Sequence, residues 1–483
     1  MTLRELLDGM PVLSARGRMP DEITGITKDS RDVKEGFVFF ATEASKPYLE
    51  EAKKKGASVI VSDTELLGDF PCVVLIREPR AVLGRMSARF FGYPSRDLHV
   101  TGITGTNGKT TVSYLMESIL RAANQRVGVM GTISYRYDGR MVKGQTTTPE
   151  STEIQRLLRD MKQAGARFAV MEVSSHALDQ GRVEGVDFDT ALFTNLTHDH
   201  LDYHHDIEHY KEAKKRLFHQ CLMDSVKKKK HAILNVDDPA VREFFCASPI
   251  VNLTYSLQSN ADAFPTSLRE DINGLSLGIC LMGKEFSVRS PLIGTFNAAN
   301  ILAAALFGHA AGISDDLVQK GIETLHGVPG RLERVKNGRG IPIFVDYAHT
   351  PDALRKTLAT LKRLCSGRLI ALFGCGGDRD RAKRPVMGRI ASDLADFSVI
   401  TSDNPRREDP ATIIEEIRRG FAGDAYRIIE DRREAIIEAV RMATDKDVLL
   451  VAGKGHEDYQ IIGTETHHFS DREVIEESLH VAA

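Results

Sequence analysis

The sequence predicts an α/β protein of three domains, and three observations carry that prediction. The chain has 483 residues, too many for one hydrophobic core and close to the size of three ordinary domains. A β-prone run at residues 98–104 breaks into a glycine-rich turn and then a helical pattern. Four later apolar runs of strand length alternate with helical patterns, which marks a parallel, doubly wound sheet. We expect a small N-terminal α/β domain at residues 1–96, a central phosphate-loop domain at 97–328 and a C-terminal Rossmann-like domain at 329–483.

Composition excludes several classes. Hydrophobic residues make up 42% of the chain and charged residues 27%, ordinary for a globular protein in water. The net charge of −3 gives no polycationic footprint for nucleic acid or an anionic membrane. The basic run at 227–230 reads as a solvated loop or helix end. Six scattered cysteines with no C-x-x-C pair argue for reduced thiols and against a disulfide or zinc framework. The first residues carry acids and lack a long apolar stretch, so no signal peptide is expected. No run reaches the length of a membrane span. The expectation is a cytoplasmic protein, acting as a monomer, without a nucleic-acid or membrane partner.

In the N-terminal part, short β-prone runs fall at 22–27, 36–40, 57–61 and 72–76, with a lysine-rich helical piece at 48–56 among them. Residues 27–36 form a polar turn of the Asx or Ser kind. A helix at 81–91 and a turn at 92–96 lead into the next domain.

The central part opens on Thr104-Gly-Thr-Asn-Gly-Lys-Thr-Thr111. Backbone N–H groups of such a turn and of the helix start face phosphate oxygens. Lys109 neutralises their charge, and the Thr110 hydroxyl can ligate Mg²⁺. Val112, Leu115, Met116 and Ile119 then follow helical spacing. A strand at 126–135 and a turn at Asp138-Gly139 come next. Thr148 before Pro149 has the form of a helix N-cap, and a ligand role is the alternative. The apolar run 167–172 ends in Glu172, at the strand tip where phosphate-loop enzymes place a metal-orienting acid; a satisfied loop carboxylate is the other reading. A further strand delivers Asp199, His200 and Asp202, which suit a metal or a polar cap. The lysines of the helix beginning near Asp206, Lys214 included, read by themselves as solvated surface. Asn297 and Asn300, on the first turn of an alanine-rich helix, either reach a ligand or cap.

In the C-terminal part the polar motifs sit where strands end: Asp346-Tyr-Ala-His349, Gly374-Cys-Gly-Gly-Asp-Arg-Asp380, Asp403-Asn-Pro-Arg406 and Gly453-Lys-Gly-His-Glu457. Ligands of doubly wound sheets bind at the carboxyl ends of the strands, so these motifs face one crevice. None fits G-x-G-x-x-G, which disfavours a dinucleotide oxidoreductase. Arg406 suits a carboxylate bidentately and Glu457 an ammonium, together a site for a zwitterion.

Taken together, these motifs with Glu172-Val-Ser-Ser-His176, Tyr210-Lys-Glu-Ala-Lys214, Phe296-Asn-Ala-Ala-Asn300 and Gly330-Arg-Leu-Glu333 resemble the Mur ligase family. The resemblance runs from Asp29-Ser-Arg31 to the last strand. It implies a three-domain ATP-dependent amide ligase of peptidoglycan precursor synthesis. Asp403-Asn-Pro-Arg406 is similar to the signature of the branch that adds meso-2,6-diaminopimelate to UDP-N-acetylmuramoyl-L-alanyl-D-glutamate through an acyl phosphate. A lysine-adding ligase, a folate polyglutamate-type ligase and a phosphate-loop switch NTPase are the alternatives.

Carried over position by position, the resemblance implies an ATP site at Gly105, Thr106, Asn107, Gly108, Lys109, Thr110, Thr111, Asn297, Asn300, Arg331 and Asp346. Two Mg²⁺ ions are implied, one on Thr110 and one on Glu172 and His200. Lys214 matches a lysine carbamylated by CO₂ that bridges to this metal, against its reading as surface. Lys28, Ser30, Thr147, Thr148, Ser174, Gln180 and Arg182 match contacts to the UDP-MurNAc-dipeptide. Arg379, Asp403, Asn404, Pro405, Arg406, Gly453 and Glu457 match the diaminopimelate site. Two departures stand out. The loop at 41–48 is shorter than the family's, and His205 stands where the family has glycine.

Overall fold

The computed structural model describes every residue except Glu43, Leu67, Gln145, His198, Ser259, Ala482 and Ala483, and it leaves out the side chains of Leu201, Asp202, His480 and Val481. The expected contribution of Asp202 lies outside the described residues. The chain divides into two compact units. The first holds residues 1–265, 279–286 and 299–322, and the second holds 266–278, 287–298 and 323–483.

The first unit contains the N-terminal sheet, ordered Val12–Gly17, Cys72–Ile76, Ala57–Ser62, Phe37–Ala41, Gly25–Thr27. Four strands are parallel, at the places expected from their β-branched and aromatic runs. The edge strand Val12–Gly17 is antiparallel and exposed throughout, so no apolar alternation announced it. The polar turn is a short 3₁₀ helix, Ser30–Asp32, whose start is held by the Asp29 side chain accepting from the Arg31 amide, the expected Asx arrangement.

The same unit contains the parallel run Val251–Tyr255, His231–Asn235, Thr190–Phe193, His99–Thr104, Phe168–Glu172, Val127–Met130. The phosphate-loop strand His99–Thr104 lies between Phe168–Glu172 and Thr190–Phe193. The sheet therefore brings Glu172 and the Thr194–Thr197 turn to the same edge as the loop. The helix Lys109–Ala122 packs Val112, Leu115, Met116, Ile119 and Leu120 into the core, each side chain worth about 1.5–3 kcal/mol on burial. Two expectations are corrected here. The strand expected over 126–135 is two strands, Val127–Met130 and Ser134–Tyr137, antiparallel to each other. The second forms a hairpin with Arg140–Lys143 around the Asp138-Gly139 turn. Thr148 is not an N-cap: the next helix is Ser151–Gln163, its N-cap is Glu150, and Thr148 is held elsewhere.

The second unit is built on a sheet ordered Glu333–Val335, Ile343–Asp346, Val448–Ala452, Leu369–Phe373, Phe397–Ile400, Tyr426–Ile428. All neighbours are parallel except the first pair. Apolar cores on both faces confirm the doubly wound arrangement. A two-stranded hairpin, Tyr459–Ile462 with Glu465–His468, adds to it.

Candidate active site

The phosphate loop is braced by the neighbouring strand end. Thr106 N donates to Asn195 O (2.8 Å), Asn107 N to Asn195 Oδ1 (3.0 Å) and Thr194 Oγ1 to Asn107 O (2.7 Å). Gly108 is the helix N-cap at φ +92°, and a Cβ there would stand 2.5 Å from Asn300 Oδ1. The left-handed dihedral favours glycine, and any Cβ would also push the Asn300 side chain aside. The N-terminus of this helix lies at the loop, where the sequence predicts an anion-binding end. Lys109 Nζ donates to Gly105 O and Thr106 O, both at 2.9 Å, which keeps its ammonium over the loop. Thr111 is buried beneath it.

Glu172 is 1% exposed at the tip of its strand. Its Oε2 accepts from Thr110 Oγ1 (2.9 Å) and Thr132 Oγ1 (2.9 Å), and its Oε1 accepts from Thr132 N (3.1 Å). A buried carboxylate beside a threonine hydroxyl at a helix start is a hard-oxygen donor set, and its chemistry fits Mg²⁺. Thr132 also meets Thr147 across 3.1 Å, Oγ1 to Oγ1. Thr132 therefore links the acid to the expected dipeptide contacts. Sequence reasoning missed it, since it falls where one strand was expected to run on.

His200 sits in the left-handed region at φ +54°, its ring 4.9 Å from that of His176 and edge-on to it. His205 is also left-handed, at φ +67°. That conformation accounts for glycine at this position in the family pattern. Lys214 is 1% exposed, donating from Nζ to Gly105 O at 3.0 Å with the Tyr210 ring centroid 4.2 Å away. Burial, and then the nearby Lys109 ammonium, push its amine well below the ordinary lysine value. The surface reading of Lys214 is thereby corrected.

The expected dipeptide residues form a connected polar chain. Thr148 Oγ1 donates to Glu172 O (2.8 Å) and accepts from Ser174 N (3.0 Å). Arg182 donates to Thr148 O (3.0 Å) and Gln180 Oε1 (2.9 Å) and pairs with Glu150. Lys28 pairs with the other oxygen of Glu150 at 2.6 Å. Glu150 is the joint that the sequence reading did not single out. Ser30 lies apart from this chain, donating to Glu51.

In the second unit, Asn297 donates to Ile293 O (2.7 Å), within its own helix start. Asp346 is buried and accepts from Leu332 N (2.7 Å) and Ala348 N (2.9 Å); burial raises its carboxyl above the ordinary value against the pull of Arg331. The Arg331 guanidinium lies over the Tyr347 ring.

Three strand ends of that sheet converge on one cluster. Arg406, left-handed at φ +52°, donates to Gly377 O (2.8 Å). Asn404 Nδ2 donates to Glu457 Oε2 (3.1 Å). Gly453, at φ +116°, leaves room for Asp403 Oδ2, which a Cβ would meet at 2.6 Å. The hairpin clamps this loop: Ile461 N donates to Asn404 Oδ1, Gln460 Nε2 to Asp403 O and Arg406 N to Ile461 O. Arg379, in contrast, is exposed, and its guanidinium donates to Asp378 O (3.1 Å). Lys454, quoted within the Gly453–Glu457 motif but given no role there, lies at the centre of the cluster. It donates to Asn404 Oδ1 (3.1 Å) and Glu457 Oε2 (3.3 Å).

Comparison with known proteins agrees with this layout. Residues 103–308 match the Mur ligase middle domain and residues 330–455 match the Mur ligase, glutamate ligase domain. A UDP-N-acetylmuramoyl-L-alanyl-D-glutamate–2,6-diaminopimelate ligase of Geobacter metallireducens is 44% identical, with 98% of both chains covered. A relative of the same name from Bacillus cereus is 42% identical over 99% of this chain and 98% of its own. A solved structure of a protein with that name superposes with a TM-score of 0.73 at 35% identity, covering 100% of this chain and 99% of its own. The folylpolyglutamate synthase of Mycobacterium tuberculosis, at 19% identity and a TM-score of 0.64 over 78% of this chain and 92% of its own, shares the fold. Sequence, fold and site thus lead to one conclusion: the chain belongs to the Mur ligase family.

Proposed function

We propose that this chain is an ATP-dependent amide ligase that adds meso-2,6-diaminopimelate to UDP-N-acetylmuramoyl-L-alanyl-D-glutamate in peptidoglycan precursor synthesis. The observation that supports it best is that one chain carries two complementary sites. One is a phosphate loop with a buried acid, Glu172; the other is an acidic and arginine-lined cluster for a zwitterion around Asp403 and Arg406. Full-length relatives named for this reaction fit the same reading. The lysine-adding alternative has no comparable support. In domain terms, residues 1–96 receive the UDP-sugar, 97–328 hold ATP and 329–483 hold the amino acid. ATP and a nucleotide-sugar as substrates place the work in the cytoplasm, where the chain acts as a monomer. Among the described residues no helix is long and apolar enough to cross a membrane.

The chemistry must bring a carboxylate onto a triphosphate, two anions that repel. The loop amides and the Lys109 ammonium lower the cost at the phosphates. Thr110, Glu172, His200 and a carbamylated Lys214 are the residues that would hold two Mg²⁺ ions, which supply charge compensation and Lewis-acid polarisation when bound. The chain Thr148, Ser174, Gln180 and Arg182 positions the D-glutamyl end of the dipeptide beside Glu172. The γ-carboxylate takes the γ-phosphoryl group of ATP to give an acyl phosphate and ADP. The amine of diaminopimelate then attacks the carbonyl carbon, and phosphate leaves with formation of the amide. Arg406 takes the carboxylate of the incoming amino acid, and Glu457 with Asp403 its ammonium.

The acyl phosphate is the step to test. Hydroxylamine in place of diaminopimelate is expected to give a glutamyl hydroxamate, with one ADP released for each; absence of hydroxamate alongside normal ligation would overturn the intermediate. Lys214 gives a second prediction. Burial and the Lys109 ammonium lower its basicity, which favours the neutral amine that forms an N–C bond to CO₂ with loss of a proton. Turnover is expected to fall on stripping CO₂ and return with bicarbonate, and Lys214→Arg should lose turnover in both conditions. A steady-state ADP-release assay insensitive to CO₂ would remove the carbamate.

A further inference from the structure

Lys454 is wholly buried, with 0% of its side chain exposed. Its Nζ lies 3.1 Å from Asn404 Oδ1, 3.3 Å from Glu457 Oε2 and 4.0 Å from Asp403 Oδ1, and the Tyr459 ring covers it at 5.5 Å. Asn404 completes the arrangement by donating to the same Glu457 oxygen. The acids are scarcely more exposed, at 9% for Asp403 and 15% for Glu457. Taking an ammonium wholly out of water is costly, and its partners here are the groups assigned to the incoming amino acid.

The charges explain what it does there. Asp403 and Glu457 alone would present two negative charges. With Lys454 between them the group carries a single net negative charge, and Arg406 alongside supplies one positive. That pattern matches an amino-acid end bearing one ammonium and one carboxylate. L-lysine joined through its α-amine leaves only its ε-ammonium for this site, an unmatched positive charge beside Lys454 and Arg406, whereas diaminopimelate joined through one amine still offers an ammonium and a carboxylate at its other end. We propose that Lys454 is a specificity-determining positioning residue: it trims the acidic cluster to one net charge, so that the site accepts a zwitterionic end and rejects a bare ammonium. This rests on the reading of Asp403–Arg406 and Glu457 as the amino-acid site. Discrimination of this kind works by penalising the wrong ligand as much as by attracting the right one.

The test compares kcat/KM for meso-diaminopimelate and for L-lysine in the full chain, with the KM for ATP as a control. Lys454→Met exposes the second acidic charge and is expected to raise the lysine-to-diaminopimelate ratio by about tenfold or more, since a close charge pair is removed. Lys454→Arg should hold the wild-type ratio. The double variant Lys454→Met with Glu457→Gln restores the net charge and should return the ratio toward wild type. An equal loss for both amino acids in Lys454→Met, or an unchanged ratio, would show Lys454 to be a structural brace and overturn the proposal. If Lys454→Met does not fold, the double variant is compared with Glu457→Gln alone. The double variant must then show the higher ratio, and equality overturns the proposal. Arg406→Ala run in parallel separates the two levels: no change in its KM for diaminopimelate would remove the site reading itself, whereas a raised KM with a flat Lys454→Met ratio removes only the role of Lys454.

Discussion

Replacing Glu172 with glutamine is expected to cut turnover by on the order of 10²–10³-fold while leaving the fold intact, since a preorganised charge at the reacting phosphate is lost. The side chain is buried among two threonine hydroxyls and one backbone N–H. The hydroxyls can rotate to accept from an amide, and the remaining oxygen can stay on the Thr132 amide, so the hydrogen-bond network survives the change. What disappears is the charge. Lys109→Met should have an effect of similar size, because Lys109 is the cation that the loop carbonyls of Gly105 and Thr106 hold in place. ADP release measured beside thermal unfolding separates the two effects. Unchanged turnover in either variant would sink the assignment of this loop as the ATP site.

The second large effect is expected at Arg406. Arg406→Ala should cost about 2–5 kcal/mol in kcat/KM for diaminopimelate, the range found when one partner of a buried charge pair is truncated. The KM for ATP should barely move, because Arg406 belongs to the cluster held by the Gly377 carbonyl and the Ile461 hairpin. Its left-handed backbone shows that the loop is constrained around it. Equal rises in both Michaelis constants would remove its assigned role.

Much of this arrangement was legible because its signals are local. A glycine-rich turn between an apolar strand and an apolar-faced helix depends on adjacent residues alone, and Gly108 and Lys109 stand where that pattern puts them. The parallel strands of the second unit are buried on both faces and so appear as continuous apolar runs. The exposed strand Val12–Gly17 has no such run, and it pairs with Cys72–Ile76, far along the chain; the hairpin Tyr459–His468 pairs locally, but what holds it is the distant loop at Asp403–Arg406. Thr148 shows how a local rule fails. It has the sequence form of a cap, yet its hydroxyl is committed to the strand end at Glu172 and Ser174. Lys214 lay within reach: Tyr210, Leu217 and Phe218 are buried and share its helical face at spacings of three and four. Thr132 and Glu150 carry no motif of their own and act by joining residues that are distant in sequence, while Lys454, inside the Gly453–Glu457 motif, is marked only by its burial against Asn404, fifty residues away.

The central claim is that the phosphate loop and the Asp403–Arg406 cluster serve one amide-forming reaction. The most direct measurement incubates the chain with ATP, Mg²⁺ and UDP-N-acetylmuramoyl-L-alanyl-D-glutamate, with meso-diaminopimelate and L-lysine in equal amounts, and weighs the products by mass spectrometry. The predicted result is the diaminopimelate tripeptide in excess over the lysine product, with ADP and phosphate formed in step with it. ATP hydrolysis without any amide product, or the lysine tripeptide as the main product, would contradict the account.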